Sequence, residues 1–130
     1  METLIGILLI SIAAISEAIM DKTQFHYHRS IFRYWKYQQF FDPAISWKNK
    51  WKNQDPREGE RFSFSSTILV AFTDAWHLFK MIRNVGIFGG LLLLAVSSTS
   101  TLYIITLFVI ARIIYGIIFT IFFSRIFEKR

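Results

Sequence analysis

The sequence predicts an all-α integral membrane protein with about three transmembrane helices and a cytoplasmic, aromatic and basic region at the membrane interface. Three observations predict this: long apolar stretches near both ends of the chain, basic residues clustered between them, and few charged residues. The charged fraction is 18%, against roughly 25% in soluble domains. Runs of about 20 apolar residues match the ~30 Å hydrocarbon core of a bilayer. We expect the 130 residues to form a single membrane domain.

The first apolar stretch, residues 3–20, contains one charged side chain, Glu17. A secretory signal begins with a basic segment. This chain instead begins Met1-Glu2-Thr3, and its first basic residue, Lys22, follows the apolar stretch. We therefore interpret residues 3–21 as a retained anchor and the first transmembrane span.

The segment that follows is basic and aromatic. Nine of the 15 Lys and Arg residues lie in residues 22–62, and 12 of the 23 aromatic residues lie in residues 25–64. Because cytoplasmic loops carry an excess of Lys and Arg, we predict that residues 22–84 are cytoplasmic and that the N-terminus is outside. Tryptophan, tyrosine and basic side chains favour the lipid headgroups. We therefore expect this segment to bind membrane lipid and not nucleic acid.

Residues 62–79 are also apolar enough to cross a membrane. As a helix, however, they would place Ser66, Thr73, His77 and Lys80 on one polar stripe, which favours a partly wet helix near the membrane surface. A span over residues 63–82 remains the alternative, and it would put Lys80 outside.

The last apolar stretch, residues 85–127, is too long for one span. It would form a helix of roughly 65 Å at about 1.5 Å per residue. The polar run Ser97-Ser98-Thr99-Ser100-Thr101 predicts a tight turn, and hence a hairpin with spans over residues 85–100 and 101–125. This topology puts 14 of the 15 basic residues on one side of the membrane, so we favour it.

Acidic and histidine residues near the predicted cytoplasmic ends of the helices suggest a metal site. If the first helix continues to about residue 40, Glu17, Asp21 and His28 share one face, because they fall within about 60° of each other. Asp74 and His77 are three residues apart on another helix. Carboxylate and imidazole ligands on neighbouring helices suit Zn, Fe or Mn. We predict these five residues as metal ligands; the alternative is that Glu17 and Asp21 pair with boundary residues, namely Lys22, Lys80 or Arg83.

Arg112 lies near the middle of the last predicted span, where a charge is costly unless it is paired or faces water. No acidic residue lies in residues 85–127. The sequence therefore indicates that Arg112 contacts lipid or another subunit. The alternative is that its side chain faces a substrate or an ion.

Two functional hypotheses follow. The first is a metal-dependent membrane enzyme acting on a lipid or lipid-soluble substrate. The second is a non-catalytic subunit of a multi-subunit or homo-oligomeric membrane assembly, including a pore with Ser66, Thr73 and His77 at its mouth. The chain has no cysteine, which excludes disulfides, thiolate catalysis and cysteine-based metal sites. The sequence identifies no catalytic residue.

Overall fold

The computed structural model describes residues 1–129, which are mostly helical and contain no β-strand. The α-helices are α1 (Glu2–Phe25), α2 (Gln38–Phe41), α3 (Pro43–Ser46), α4 (Ala75–Val96) and α5 (Thr101–Ile121). A π-helical turn, Phe122–Ile126, extends α5. Three helices, α1, α4 and the extended α5, are long and apolar enough to cross a membrane. The prediction of three such helices is therefore confirmed.

Helices α1 and α4 pack antiparallel with their backbones in close contact. A Cβ atom at Gly86 would lie 2.7 Å from the carbonyl oxygen of Leu9 and 3.0 Å from Cβ of Ala13. At Gly90 it would lie 2.8 Å from Cγ1 of Ile10. Glycines four residues apart allow such close packing of apolar helices. The register places the last turn of α1 beside the first turn of α4.

Helix α5 is the least buried of the three long helices. Only Leu107 and Ala111 of its residues are buried, and they join Ile10 and Leu94 in a small apolar cluster. Most other apolar side chains of α5 are exposed, among them Ile105, Val109, Ile113 and Ile117.

A second, largely aromatic cluster lies at the end of α1. Its aromatic members include Tyr27, Phe32, Phe41 and Phe127. The rings of Phe32 and Phe41 are stacked with centroids 5.4 Å apart, and the ring of Phe127 lies 5.0 Å from that of Phe32. The backbone N–H of Ile31 donates to the carbonyl of Phe127 at 3.1 Å. The end of the chain is thus packed against the segment that follows α1, and part of the predicted interfacial aromatic region is protein core.

Two expectations about helix length are wrong. Helix α1 ends at Phe25 and does not continue to about residue 40, because the chain turns back at His26. This reversal buries Tyr27 and Phe32, and that packing outweighs continuation of the helix. His28 is therefore in a short 3₁₀ turn, Tyr27–Arg29, and not on the helix face of Glu17.

Residues 62–79 do not form one helix, and no helical span covers residues 63–82. Residues 62–69 form turns, held in part by backbone N–H groups of Phe64 and Ser66 that donate to the Glu60 carboxylate. Helix α4 then begins at Ala75, not at residue 85, because the side chain of Asp74 caps it. The predicted stripe of Ser66, Thr73 and His77 is therefore not a helix face. The predicted turn at residues 97–101 is confirmed by the break between α4 and α5.

Candidate functional site

Asp74 and His77 form a tightly bonded pair at the start of α4. One carboxylate oxygen of Asp74, Oδ1, accepts from the backbone N–H of His77 at 3.0 Å. The other, Oδ2, accepts from the His77 ring at Nδ1, 2.7 Å away, and from the Thr73 hydroxyl at 3.1 Å. Burial acts to raise the pKa of Asp74, but the hydrogen bonds from His77 and Thr73 outweigh it and hold that pKa below its usual value. Asp74 is therefore a buried, ionised carboxylate.

The same contacts fix the His77 ring. In the neutral ring, Nδ1 carries the hydrogen because the carboxylate accepts it, so Nε2 has the free lone pair. Within residues 1–129 no side chain or backbone group hydrogen-bonds to Nε2. An imidazole oriented by a carboxylate through Nδ1 can accept a proton or a hydrogen bond, or bind a metal ion, through Nε2.

A small cavity of about 70 Å³ lies beside this pair. It is lined by the end of α1, the first turn of α4 and the connecting segment between them: Thr23, Gln24, Phe41, Pro43, Ser46, Trp47, Asp74, Trp76 and His77. Its walls combine aromatic rings with hydroxyl, amide, carboxylate and imidazole groups.

Asn49 holds the connecting segment against the pair. Its side-chain amide donates to the carbonyl of Thr73 at 2.8 Å and to the carbonyl of Gln39 at 2.7 Å, while its own oxygen accepts from the Gln39 side chain at 2.6 Å. Because Thr73 directly precedes Asp74, this buried residue helps to fix the position of the carboxylate.

Glu17 is engaged elsewhere. Its Oε1 lies 3.6 Å from a guanidinium nitrogen of Arg83, and its Oε2 accepts from the hydroxyl of Tyr115. The contact between Glu17 and Arg83 agrees with the alternative in which boundary residues pair with the predicted ligands. Glu17 thus links α1 to both α4 and α5.

The structure brings Asp74 and His77 together but does not assemble the five predicted ligands. Asp21 is half-buried on α1, and His28 is exposed beside Tyr27. Within residues 1–129 no three His, Cys, Asp or Glu side chains are grouped closely enough to hold a metal ion. Of the five predicted ligands, only Asp74 and His77 are in contact. Metal binding therefore stays a prediction.

A further polar cluster, centred on Glu128, was not found from the sequence. The side chain of Lys22 is only 2% exposed; its ammonium pairs with Glu128 and lies 4.1 Å from the ring centroid of Phe123. Arg29 contacts the same carboxylate at 2.9 Å. These cations, chiefly Lys22, hold the pKa of Glu128 below its usual value. The sole sequence signal was a lysine directly after an apolar stretch.

Arg112 lies on the exposed face of α5. Its guanidinium runs along the helix toward Gly116, where an added Cβ atom would be 3.3 Å away. No Asp or Glu of residues 1–129 lies within 4.0 Å of it to form an ion pair. Beside it is an apolar groove of about 310 Å³ between α1, α4 and α5.

No protein-family model, curated protein or solved structure significantly matches the chain. Two features of the described residues bear on function: the Asp74–His77 pair with its cavity, and Arg112 on the surface of α5 without an acidic partner among residues 1–129.

Proposed function

We propose that the chain is a non-catalytic subunit of a membrane assembly that binds the transmembrane helix of a different partner protein through α5. In this proposal α1, α4 and α5 span the bilayer, with the N-terminus outside and residues 22–84 on the cytoplasmic side, against anionic lipid. Arg112 pairs with a carboxylate near the middle of the partner helix. The observation that carries the proposal is the exposed Arg112 without an acidic neighbour.

The position of Arg112 makes a lipid headgroup a poor partner. An arginine at the centre of a transmembrane helix costs about 2.5–3.5 kcal/mol on insertion scales. Long basic side chains reduce this cost by extending toward the headgroups. The guanidinium already lies beside Gly116, yet the helical span ends at Ile126, about 15 Å further at 1.5 Å per residue. A carboxylate at the same depth removes the cost more effectively.

A second copy of this chain does not offer such a carboxylate. Glu17 is the acidic residue within the apolar part of α1, and residues 85–127 contain none. Glu17 is already bonded to Arg83 and Tyr115. The complementary charge therefore belongs to a different protein. The groove lined by Ile87, Leu91 and Phe108 next to Arg112 provides the apolar contact area for its helix.

The test compares the native size of the assembly for wild type and Arg112→Leu, solubilised in mild detergent from the membranes in which the chain is made naturally. Thr106→Leu is the matched control, because Thr106 is also an exposed polar residue of α5. We expect wild type and control to migrate as a larger complex, and Arg112→Leu to migrate at the size of the free chain. Photo-crosslinking from position 109 should then identify a helix with an intramembrane Asp or Glu.

An unchanged complex with Arg112→Leu, in protein that still inserts, refutes the proposal. A complex that contains only copies of this chain also refutes the different partner and favours a homo-oligomer.

The second candidate is the metal-dependent enzyme acting on a lipid or lipid-soluble substrate. The observation that favours it is the oriented His77 ring beside a cavity. Zn, Fe or Mn at Nε2 would need further ligands from Glu17, Asp21 or His28, and hence movement of α1 or of the 3₁₀ turn relative to His77. Metal content by mass spectrometry, for wild type against His28→Ala/His77→Ala, tests this candidate. Folded wild type purified without chelator and free of metal excludes it.

A further inference from the structure

We propose that the cavity beside His77 binds a primary ammonium group on a short carbon chain, as in an ethanolamine headgroup. This site is independent of the partner helix proposed for Arg112, since it lies where α1 ends and α4 begins, whereas Arg112 lies beside the middle of these helices, and the two sites share no residue. Four features support it: its place in the fold, its acceptor atom, its charge and its size.

The cavity lies where the apolar helices end. Thr23 and Gln24 belong to the last turn of α1, and Trp76 and His77 belong to the first turn of α4. Beyond these turns the chain becomes basic and aromatic. The ends of helices that span a bilayer lie at the level of the lipid headgroups. When the helices span a bilayer, the headgroups of the leaflet at this end of α1 and α4 therefore lie near this cavity.

The acceptor atom is Nε2 of His77. Because Nδ1 donates to Asp74 at 2.7 Å, Nε2 of the neutral ring can only accept a hydrogen bond. A primary ammonium group has three N–H donors, whereas the trimethylammonium group of choline has none. The acceptor therefore discriminates between these two common headgroup cations.

The charge and the walls of the cavity also favour a cation. Asp74 is buried, with 3% of the residue exposed, and its carboxylate accepts from Nδ1 of the imidazole. Phe41, Trp47 and Trp76 supply aromatic walls, and ammonium groups bind to the faces of such rings. Both tryptophan rings already have an ammonium group of this chain near them: Lys80 lies 4.7 Å from the Trp76 ring centroid and Lys48 lies 5.6 Å from that of Trp47.

The size of the cavity matches a small group. The volume of about 70 Å³ is well below the roughly 300–1,000 Å³ of pockets that enclose drug-sized ligands. An ammonium group on a chain of two methylene groups is of the small size that such a cavity suits.

The experiment measures lipid binding to the full chain in nanodiscs of phosphatidylcholine that contain a minor fraction of either phosphatidylethanolamine or phosphatidylglycerol. Lipid retained by the protein is quantified by native mass spectrometry. We expect phosphatidylethanolamine to be retained about tenfold over both other lipids, as a charge-assisted hydrogen bond provides. His77→Phe should abolish this preference, while His28→Phe, a change of an exposed histidine outside the cavity, should leave it unchanged.

Trp47→Leu provides a variant that leaves the Asp74–His77 pair intact if His77→Phe fails to fold. Trp47 is 44% exposed, and we expect its loss to weaken the preference, with Trp51→Leu as the matched control outside the cavity. Free ethanolamine added to the detergent-purified chain tests the second source of the same group. If free ethanolamine binds and its binding depends on His77, the ligand is a soluble amine. If free ethanolamine does not bind but phosphatidylethanolamine is retained, the ligand is the lipid headgroup.

Equal retention of phosphatidylethanolamine and phosphatidylcholine by wild type, without binding of free ethanolamine, overturns the proposal. A preference that survives both His77→Phe and Trp47→Leu also overturns it, because the amine would then bind elsewhere.

Discussion

The contact between α1 and α4 gives a sharp prediction, because three glycines of α4 differ in what an added methyl group would meet. At Gly86 the new Cβ would lie 2.7 Å from a backbone oxygen, that of Leu9. At Gly89 its nearest neighbour would be the flexible Cδ1 of the Leu9 side chain at 3.3 Å. At Gly90 it would lie 2.8 Å from Ile10 Cγ1 and 2.9 Å from the carbonyl oxygen of Gly6. Alanine at Gly86 and Gly90 must therefore push the two helices apart, and alanine at Gly89 need not.

The expected magnitude follows from two opposing effects. Replacing glycine by alanine inside a helix contributes roughly 0.8–1.0 kcal/mol of helix propensity at every position. Overpacking a close contact costs typically about 1–3 kcal/mol. Gly89→Ala should therefore be neutral or more stable than wild type by up to about 1 kcal/mol. Since propensity cancels between the two variants, Gly86→Ala should be less stable than Gly89→Ala by about 1–3 kcal/mol, or roughly 5- to 150-fold in the unfolding equilibrium.

The assay is reversible unfolding in mixed micelles with increasing SDS, followed by far-ultraviolet circular dichroism. Wild type and the three alanine variants are compared at equal protein and lipid concentration. Gly90→Ala should behave like Gly86→Ala, because its backbone neighbour is equally rigid. If Gly86→Ala and Gly89→Ala unfold at the same SDS fraction, the close antiparallel contact is refuted.

Three further predictions concern polar residues. Glu128→Gln should destabilise the fold, because it leaves the buried Lys22 ammonium without its anion. The Lys22→Met/Glu128→Gln double variant should recover part of the lost stability in the same unfolding assay. Lys22 and Arg29 lower the pKa of Glu128. The stability from this contact should therefore be present above the ordinary carboxyl pKa and lost as the pH falls through the lowered pKa. In unfolding experiments between pH 6 and pH 3, wild type should lose its greater stability over Glu128→Gln. Asn49→Ala should cost about 1–3 kcal/mol, because it removes the donor to a buried carbonyl, and should speed hydrogen exchange in the connecting segment around Thr73.

The hydropathy of the sequence and its polar turn residues predicted the three long helices and the turn between α4 and α5. The three long helices follow from apolar runs of about the thickness of a bilayer, and the turn at residues 97–101 follows from five consecutive Ser and Thr residues. The spacing of Asp74 and His77 predicted that the two side chains lie on one side of a helix, and they do lie together, although Asp74 caps α4 and is not part of it. In each case the determining residues are neighbours in sequence, so a local pattern carries the information.

The remaining features depend on residues that are distant in sequence. Helix α1 ends at Phe25 because Tyr27 and Phe32 pack with Phe127 from the other end of the chain. Lys22 is buried because Glu128 reaches it. The pattern of apolar and polar residues near residue 25 does not indicate that Phe127 and Glu128 pack there. Gly86 and Gly90 are four residues apart, so the sequence does show a spacing that allows close helix packing. Only the structure shows that α1 is the helix that packs against them.

Glu17 and Arg112 show how partners separate structural from functional charges in apolar helices. Glu17 is the single charge of residues 3–20 and Arg112 the single charge of residues 85–124. Each is a functional candidate by the same rule, since an unpaired charge is costly in hydrocarbon. Glu17 accepts from Tyr115 and contacts Arg83, so its cost is offset within the chain and it ties the three long helices together. Arg112 has no acidic partner in residues 1–129 and faces outward. A charge whose cost the chain itself does not offset needs something outside the chain, and this difference is why Arg112, not Glu17, carries the functional proposal.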